Sequence, residues 1–297
     1  MTHSSKITIM ETGLRDGLQV VDRYVAVKDR LIIINGLIDA GIKNIQVTSF
    51  VNPKKVPQMS ESETLIKGLT KNKHVEYSAL VFNQRGVERA VKSGINKIET
   101  SISVNESYNQ KNLGLDNLQS FKKLKNVVRS SIENKLKTRA GLQCVWGHNY
   151  DYNATHKLII NTISSLLDLG VKRISLCDTG GMATPETISR LLELIYNNFP
   201  EIDLCLHLHN TYGSGLSSLK HALEFDIKEI DTSMGGIGGT PFIKGSKGNI
   251  ATEDTIVMLK NMGYDTGINM EKVSRYSRYL EKIIGELYFS GKLYKDS

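Results

Sequence analysis

Short runs of β-branched and other apolar residues alternate with longer stretches of helical spacing from one end of the chain to the other. Runs at 7–12, 44–48, 76–82, 97–103, 139–145, 173–178, 203–209 and 229–233 have strand length, and a helix-length segment follows each. After the first run, Leu31, Ile34, Leu37 and Ile38 recur at the spacing of one helix face. A short motif precedes the second, fourth, sixth and eighth runs: Ala40-Gly41-Ile42-Lys43-Asn44-Ile45, Ser93-Gly94-Ile95-Asn96-Lys97-Ile98, Leu169-Gly170-Val171-Lys172-Arg173-Ile174 and Phe225-Asp226-Ile227-Lys228-Glu229-Ile230. Each reads as a helix end, a Gly or Asp turn and an entering strand.

Eight βα units predict an α/β fold, a closed (β/α)8 TIM barrel, for which ~250 residues is typical. The barrel takes about 6–266 and a C-terminal helical extension about 267–297, with no linker composition dividing 1–297 into more than one domain. An open doubly wound sheet is the alternative, but Gly13-Leu14-Arg15-Asp16-Gly17 lacks the GxGxxG spacing that fold places after its first strand. In the extension, Tyr279, Leu280, Ile283, Ile284 and Leu287 are apolar at helical spacing. That face suits either a partner in a homodimer or the bottom of the barrel.

Composition narrows the function. Of 297 residues, 40% are hydrophobic and 23% charged, enough for a full core, and 38 Lys+Arg against 31 Asp+Glu leave a net charge of +7. The lysines are scattered rather than gathered with aromatics, which argues against nucleic-acid binding and suits an anionic small molecule. No apolar run approaches the ~18 residues of a membrane span. Residues 1–5 show no signal or transit pattern, which predicts a cytoplasmic protein. Cys144, Cys177 and Cys205 are odd in number and widely spread, as buried free thiols would be.

In a barrel the chemistry sits at the C-terminal ends of the strands. The first strand ends in Glu11-Thr12-Gly13-Leu14-Arg15-Asp16-Gly17-Leu18-Gln19, the sixth in Cys177-Asp178-Thr179 and the seventh in His207-Leu208-His209-Asn210. Side chains two apart on a strand share a face, so His207 and His209 can address one inward point. Asp16 and an amide from the segment between Gly235 and Asn249 would complete a mixed nitrogen and oxygen set suited to Mg²⁺ or Mn²⁺ with water. The bland alternative is a satisfied pair of core histidines. Arg15 is placed to stabilise an enolate or carboxylate, or else to form a rim salt bridge with Glu11 or Asp178.

At these residues the sequence resembles the 3-hydroxy-3-methylglutaryl-CoA lyases, members of the metal-dependent carbon-carbon lyase and synthase superfamily. The likeness runs through the first-strand segment above, Thr48-Ser49-Phe50-Val51-Asn52-Pro53, Ser175-Leu176-Cys177-Asp178-Thr179, His209-Asn210-Thr211-Tyr212-Gly213 and Lys247-Gly248-Asn249-Ile250-Ala251-Thr252-Glu253-Asp254. The resemblance implies Asp16, His207, His209 and Asn249 as metal ligands, Arg15 as the enolate-stabilising arginine and Asp178 as a base near the substrate hydroxyl. It places Gln19, Glu11, Thr48 and Lys244 against an acyl-CoA or hydroxy-acid substrate. The implied reaction removes the hydroxyl proton and breaks a carbon-carbon bond to give a ketone and an acetyl-CoA enolate.

Two positions with implied catalytic roles depart from the family pattern. Thr240 stands where the lyases carry a proton-transferring cysteine, and a hydroxyl is a far weaker acid than a thiol of pKa ~8.5. Gln46 replaces a signature glutamate and can hydrogen-bond without titrating. His209-Asn210 also replaces the usual His-Asp. These changes leave open a related aldolase or Claisen-type synthase, or a non-catalytic metal-binding and ligand-binding barrel.

Overall fold

Eight parallel strands close on one another in chain order, β1 pairing with β8 to complete the barrel. The computed structural model describes residues 7–147, 156–227, 229–239 and 248–296, so Thr240 and Lys244 lie outside the described residues. The strands are β1 Thr8–Glu11, β2 Asn44–Ser49, β3 Glu76–Leu80, β4 Lys97–Ser103, β5 Lys137–Gln143, β6 Arg173–Asp178, β7 Asp203–Leu208 and β8 Glu229–Thr232. The described helices around them are α1 Val27–Asp39, α2 Ser62–Lys67, α3 Gln84–Ser93, α4 Glu106–Leu113, α5 Asn117–Glu133, α6 His156–Asp168, α7 Pro185–Asn198, α8 Gly215–Ala222, α9 Thr252–Asn261 and α10 Met270–Ile284.

Alternation along each strand separates two cores. Outward residues such as Ile45, Ile98, Ala140, Leu142, Ile174, Leu176, Leu204, Leu206 and Ile230 are buried beneath the helices. The opposite face carries Gln46, Glu99, Arg139, His207 and Asp231, which are joined by hydrogen bonds inside the barrel. Glycine supports the expected turns. Gly94 ends α3 in the left-handed region at φ 82°, where a larger side chain would be strained.

The fifth strand runs two residues earlier than the pattern predicts. Its start follows from pairing with β4, Lys97 against Lys137, a relation that no local pattern contains. Cys144 lies beyond its end at φ 61°. All three cysteines are free and buried as expected. Cys205 nevertheless faces the polar interior, its Sγ 3.5 Å from Glu229 Oε1.

The C-terminal extension does not cross the bottom of the barrel, one of the placements its apolar face offered. α10 packs along the barrel wall against α1, α9 and the 3₁₀ turn Met234–Gly236 after β8. A Cβ on Gly36 of α1 would come within 1.9 Å of the Tyr276 ring, so glycine is what permits this approach. Beyond α10, Ser290 N and Gly291 N donate to Gly235 O at 3.2 and 2.9 Å, fastening the tail to the same turn. No described helix is long and apolar enough to cross a membrane.

Candidate active site

Asp16, His207 and His209 converge at the C-terminal mouth of the barrel, each offering a ligand atom within 4.8 Å of the other two. Asp16 follows β1 in a tight turn, its backbone N–H donating to Thr12 O at 2.7 Å. His207 lies on β7, and His209 just beyond it bridges to Asn249. Close packing of two glycines brings Asn249 there. A Cβ on Gly248 would stand 1.7 Å from Gly236 O, and one on Gly238 2.4 Å from Asn249 Nδ2. Asn249 Nδ2 donates to Asp16 Oδ2 at 2.9 Å and to Ile237 O at 3.2 Å.

The unpaired atoms separate a metal site from a satisfied histidine pair. His209 Nδ1 and Asn249 Oδ1 are both buried with no hydrogen-bond partner among the described residues, a costly state for polar atoms unless something binds them. Isolated orphans occur elsewhere, but here two share one cluster with a carboxylate. His207 Nε2 lies 3.7 Å from Asp16 Oδ2, while its Nδ1 is 3.1 Å from Asp231 Oδ2. A carboxylate behind a ligating imidazole orients its ring and sets its tautomer. This mixed nitrogen and oxygen set can hold a divalent cation.

Electrostatics agree with that use. Burial works to raise the Asp16 pKa, but Arg15 and the two histidines overcome it and hold the carboxyl down at about 2. Burial and the neighbouring His207 push His209 down to about 4, leaving it neutral at ordinary pH. At His207, burial is outweighed by the Asp231 hydrogen bond and the Asp16 charge, and the pKa rises.

Arg15 sits beside this cluster, 7% exposed. Its Nε donates to Gln46 Oε1 and its Nη1 to Asp16 Oδ1, while Nη2 takes no partner among the described residues. Gln46 therefore touches the catalytic arginine implied by the sequence. Gln19 Nε2 donates to Asp16 Oδ1 at 3.0 Å and to Gly239 O at 3.4 Å, at the edge of the same cluster. Asp178 ends β6 and accepts from Met182 N at 2.8 Å and Ala183 N at 2.9 Å. Its burial raises the pKa to about 6 despite those bonds, near the range useful to a base.

Two expected substrate contacts are placed elsewhere. The carboxylate of Glu11 accepts from Gly13 N at 2.7 Å, Met234 N at 3.0 Å and Thr252 Oγ1 at 2.6 Å, and is spent on tying β1 to the turn after β8. Thr48 would share a face with Gln46 in a regular strand, but the pairing of β2 with β3 shifts register between them. Its hydroxyl instead lies 2.6 Å from Ser62 Oγ under α2.

Sequence reasoning missed the layer beneath the site. Arg139 Nη1 donates to Glu229 and Asp231, each at 2.7 Å, its Nη2 to Asp231 Oδ2 at 2.8 Å and its Nε to Glu99 Oε2 at 2.8 Å. The signal was available as charged residues at inward-facing positions of strands buried on both faces.

An HMGL-like family model matches residues 6–280. The hydroxymethylglutaryl-CoA lyase YngG of Bacillus subtilis is 37% identical over 286 residues, covering 96% of each chain. The crystal structure of the Bacillus subtilis HMG-CoA lyase superposes with a TM-score of 0.94 at 35% identity, covering 100% of this chain and 99% of that one. An Acinetobacter baumannii HMG-CoA lyase in complex with coenzyme A and 3-methylmalate gives a TM-score of 0.92 at 30% identity, with 99% and 96% covered.

Proposed function

The chain belongs to the HMGL-like family, and from that premise we propose that it is a carbon-carbon lyase that cleaves 3-hydroxy-3-methylglutaryl-CoA to acetyl-CoA and acetoacetate with Mg²⁺ or Mn²⁺ bound. The observation that carries this reading is the convergence of Asp16, His207 and His209 with the unpaired Asn249 Oδ1, beside an arginine whose Nη2 is free among the described residues. Asp16, His207, His209 and Asn249 would hold the cation, which when bound polarises the substrate's hydroxyl and acyl oxygens.

The chain's own groups supply the rest. Asp178, with its pKa near 6, is ionised at neutral pH and accepts the hydroxyl proton. As the C–O⁻ electrons form the ketone, the carbon-carbon bond breaks and its electron pair passes to the acetyl-CoA enolate. Arg15 Nη2 donates to the enolate oxygen, with Nε and Nη1 anchored so that the guanidinium need not reorganise. The enolate carbon then takes a proton to give acetyl-CoA. Thr240 is too weak an acid for the role a cysteine would fill, and Asp178, protonated in the first step and with its pKa near 6, is a group that can return the proton.

The test is product analysis by mass spectrometry with the CoA thioester and Mg²⁺ or Mn²⁺. Acetyl-CoA and acetoacetate should form, and both should vanish with EDTA or in Arg15→Ala. Metal bound without either product would reject the substrate and favour a related hydroxy or oxo acid.

A further inference from the structure

Gln46 is held by two neighbours of opposite demand. Its Oε1 accepts from Arg15 Nε, and its Nε2 donates to Glu99 Oε2 at 2.8 Å. Both partners are held by further bonds: Arg15 is also tied to Asp16, and Glu99 is gripped by the Nε and Nη2 of Arg139. Arg139 in turn is 2% exposed and bound to Glu229 and Asp231. Turning the amide over would face its NH2 toward the Arg15 N–H and its oxygen toward a carboxylate, losing both bonds. A carboxylate at 46 would meet Glu99 with no donor between them, and like charges at that distance repel strongly in a buried site. The packing around Glu99 is also specific. A Cβ on Gly141 would fall 3.3 Å from Glu99 Oε1 and 3.2 Å from Ser101 Cβ, so glycine on β5 keeps that space open.

We propose that Glu99 is the positioning residue that aims Arg15, acting through a matched carboxylate–amide pair with Gln46. The inference rests on the lyase reading for its consequence in turnover, but not for the pairing itself. Glu99 is bonded to Gln46 and Arg139 beneath the mouth. It sets which way the Gln46 amide points, and that amide presents its oxygen to Arg15 Nε, leaving Nη2 without a partner among the described residues. An amide is thereby required at 46 because a carboxylate already occupies 99.

A charge swap tests this. Gln46→Glu places two carboxylates together, Glu99→Gln places two amides together, and the double variant restores one of each with the order reversed. Gln46→Glu should lower kcat about 10²-fold, the effect of a small misplacement of a reacting group, with KM within about threefold, and Glu99→Gln, whose carbonyl can still accept from Gln46 Nε2, should lower it less. The double variant should recover to within about tenfold of the parent, a non-additivity that a residue serving only to fill space would not show. In metal-free protein, the Arg15 Nε–H resonance, assigned by its loss in Arg15→Lys, should move in both single variants and return in the double. Additive losses with no return of the resonance would overturn the proposal. If the parent turns over no CoA thioester, the resonance arm alone decides the pairing, and the lyase reading fails separately. If a single variant does not fold, Gln46→Met with Glu99 intact should shift the same resonance. An unmoved resonance in Gln46→Met would also overturn the proposal.

Discussion

The mouth of the barrel and the layer directly beneath it use similar side chains to opposite ends. Below, Arg139 is surrounded by Glu99, Glu229 and Asp231, and all three carboxylates accept from it. Above, Asp16, His207, His209 and Asn249 meet with His209 Nδ1 and Asn249 Oδ1 unpaired. The Arg139 guanidinium spends its donors on those carboxylates, so it can hold strands together but has none left for a ligand. The upper cluster is incomplete among the described residues, which is the condition for binding a cation. Asp231 belongs to both, clamped by Arg139 and standing 3.1 Å from His207 Nδ1.

The sharpest way to break this contrast is Arg139→Met. It strands buried carboxylates without their countercharge, and urea denaturation should show a loss of about 3–5 kcal/mol. A loss under about 1 kcal/mol would mean the lower cluster is not what holds the strands. At the mouth the expectation reverses in kind. His209→Ala should weaken Mn²⁺ binding, read by titration calorimetry, by more than the roughly 10–100-fold typical of residues behind a metal ligand. The same change should cost metal-free stability far less than Arg139→Met, because His209 Nδ1 makes no hydrogen bond there to lose. Unchanged Mn²⁺ affinity would remove His209 from the ligand set.

The smallest expected effect concerns the two glutamates flanking the Met234–Gly236 turn. Burial raises the pKa of Glu11 and of Glu253 to about 7, against the hydrogen bonds each accepts. A carboxyl whose folded pKa is raised binds its proton more tightly when folded. Its contribution is therefore full below about pH 4.5 and is lost as pH rises through about 7. Asp16 has the opposite sign, stabilising above about pH 3.8 and losing that contribution as pH falls through about 2. Thermal melts of metal-free protein between pH 5 and 8 should decline with pH, and Glu253→Gln should flatten the decline by an amount on the order of 1 kcal/mol. An equal slope in the variant would show Glu253 already ionised in the folded protein.

The legible part of the site was the part written locally. The spacing of His207 and His209 puts both on one face of a strand, and Asp16 with Arg15 follows the first strand at the mouth. The structure brings these together with Asn249, Gln46 and Gln19. Glu11 and Thr48 show where local pattern stops informing. Nothing near Glu11 in sequence announces that Met234 and Thr252 will donate to it, and nothing in β2 alone announces the register shift that turns Thr48 to Ser62. Glu99, Arg139, Glu229 and Asp231 were visible as charges within strands, but their convergence on one guanidinium depends on three strands meeting inside a closed barrel.

By itself the sequence determined the alternation of strands and helices, the inward histidine pair and the residues of the first-strand turn, because periodicity and turn chemistry act over a few residues. Tertiary structure decided the start of β5, the face taken by Thr48, the wall position of α10 and the polarity of the Gln46 amide. Each of these depends on a partner far along the chain, and only closure of the barrel brings that partner within a hydrogen bond or a van der Waals contact.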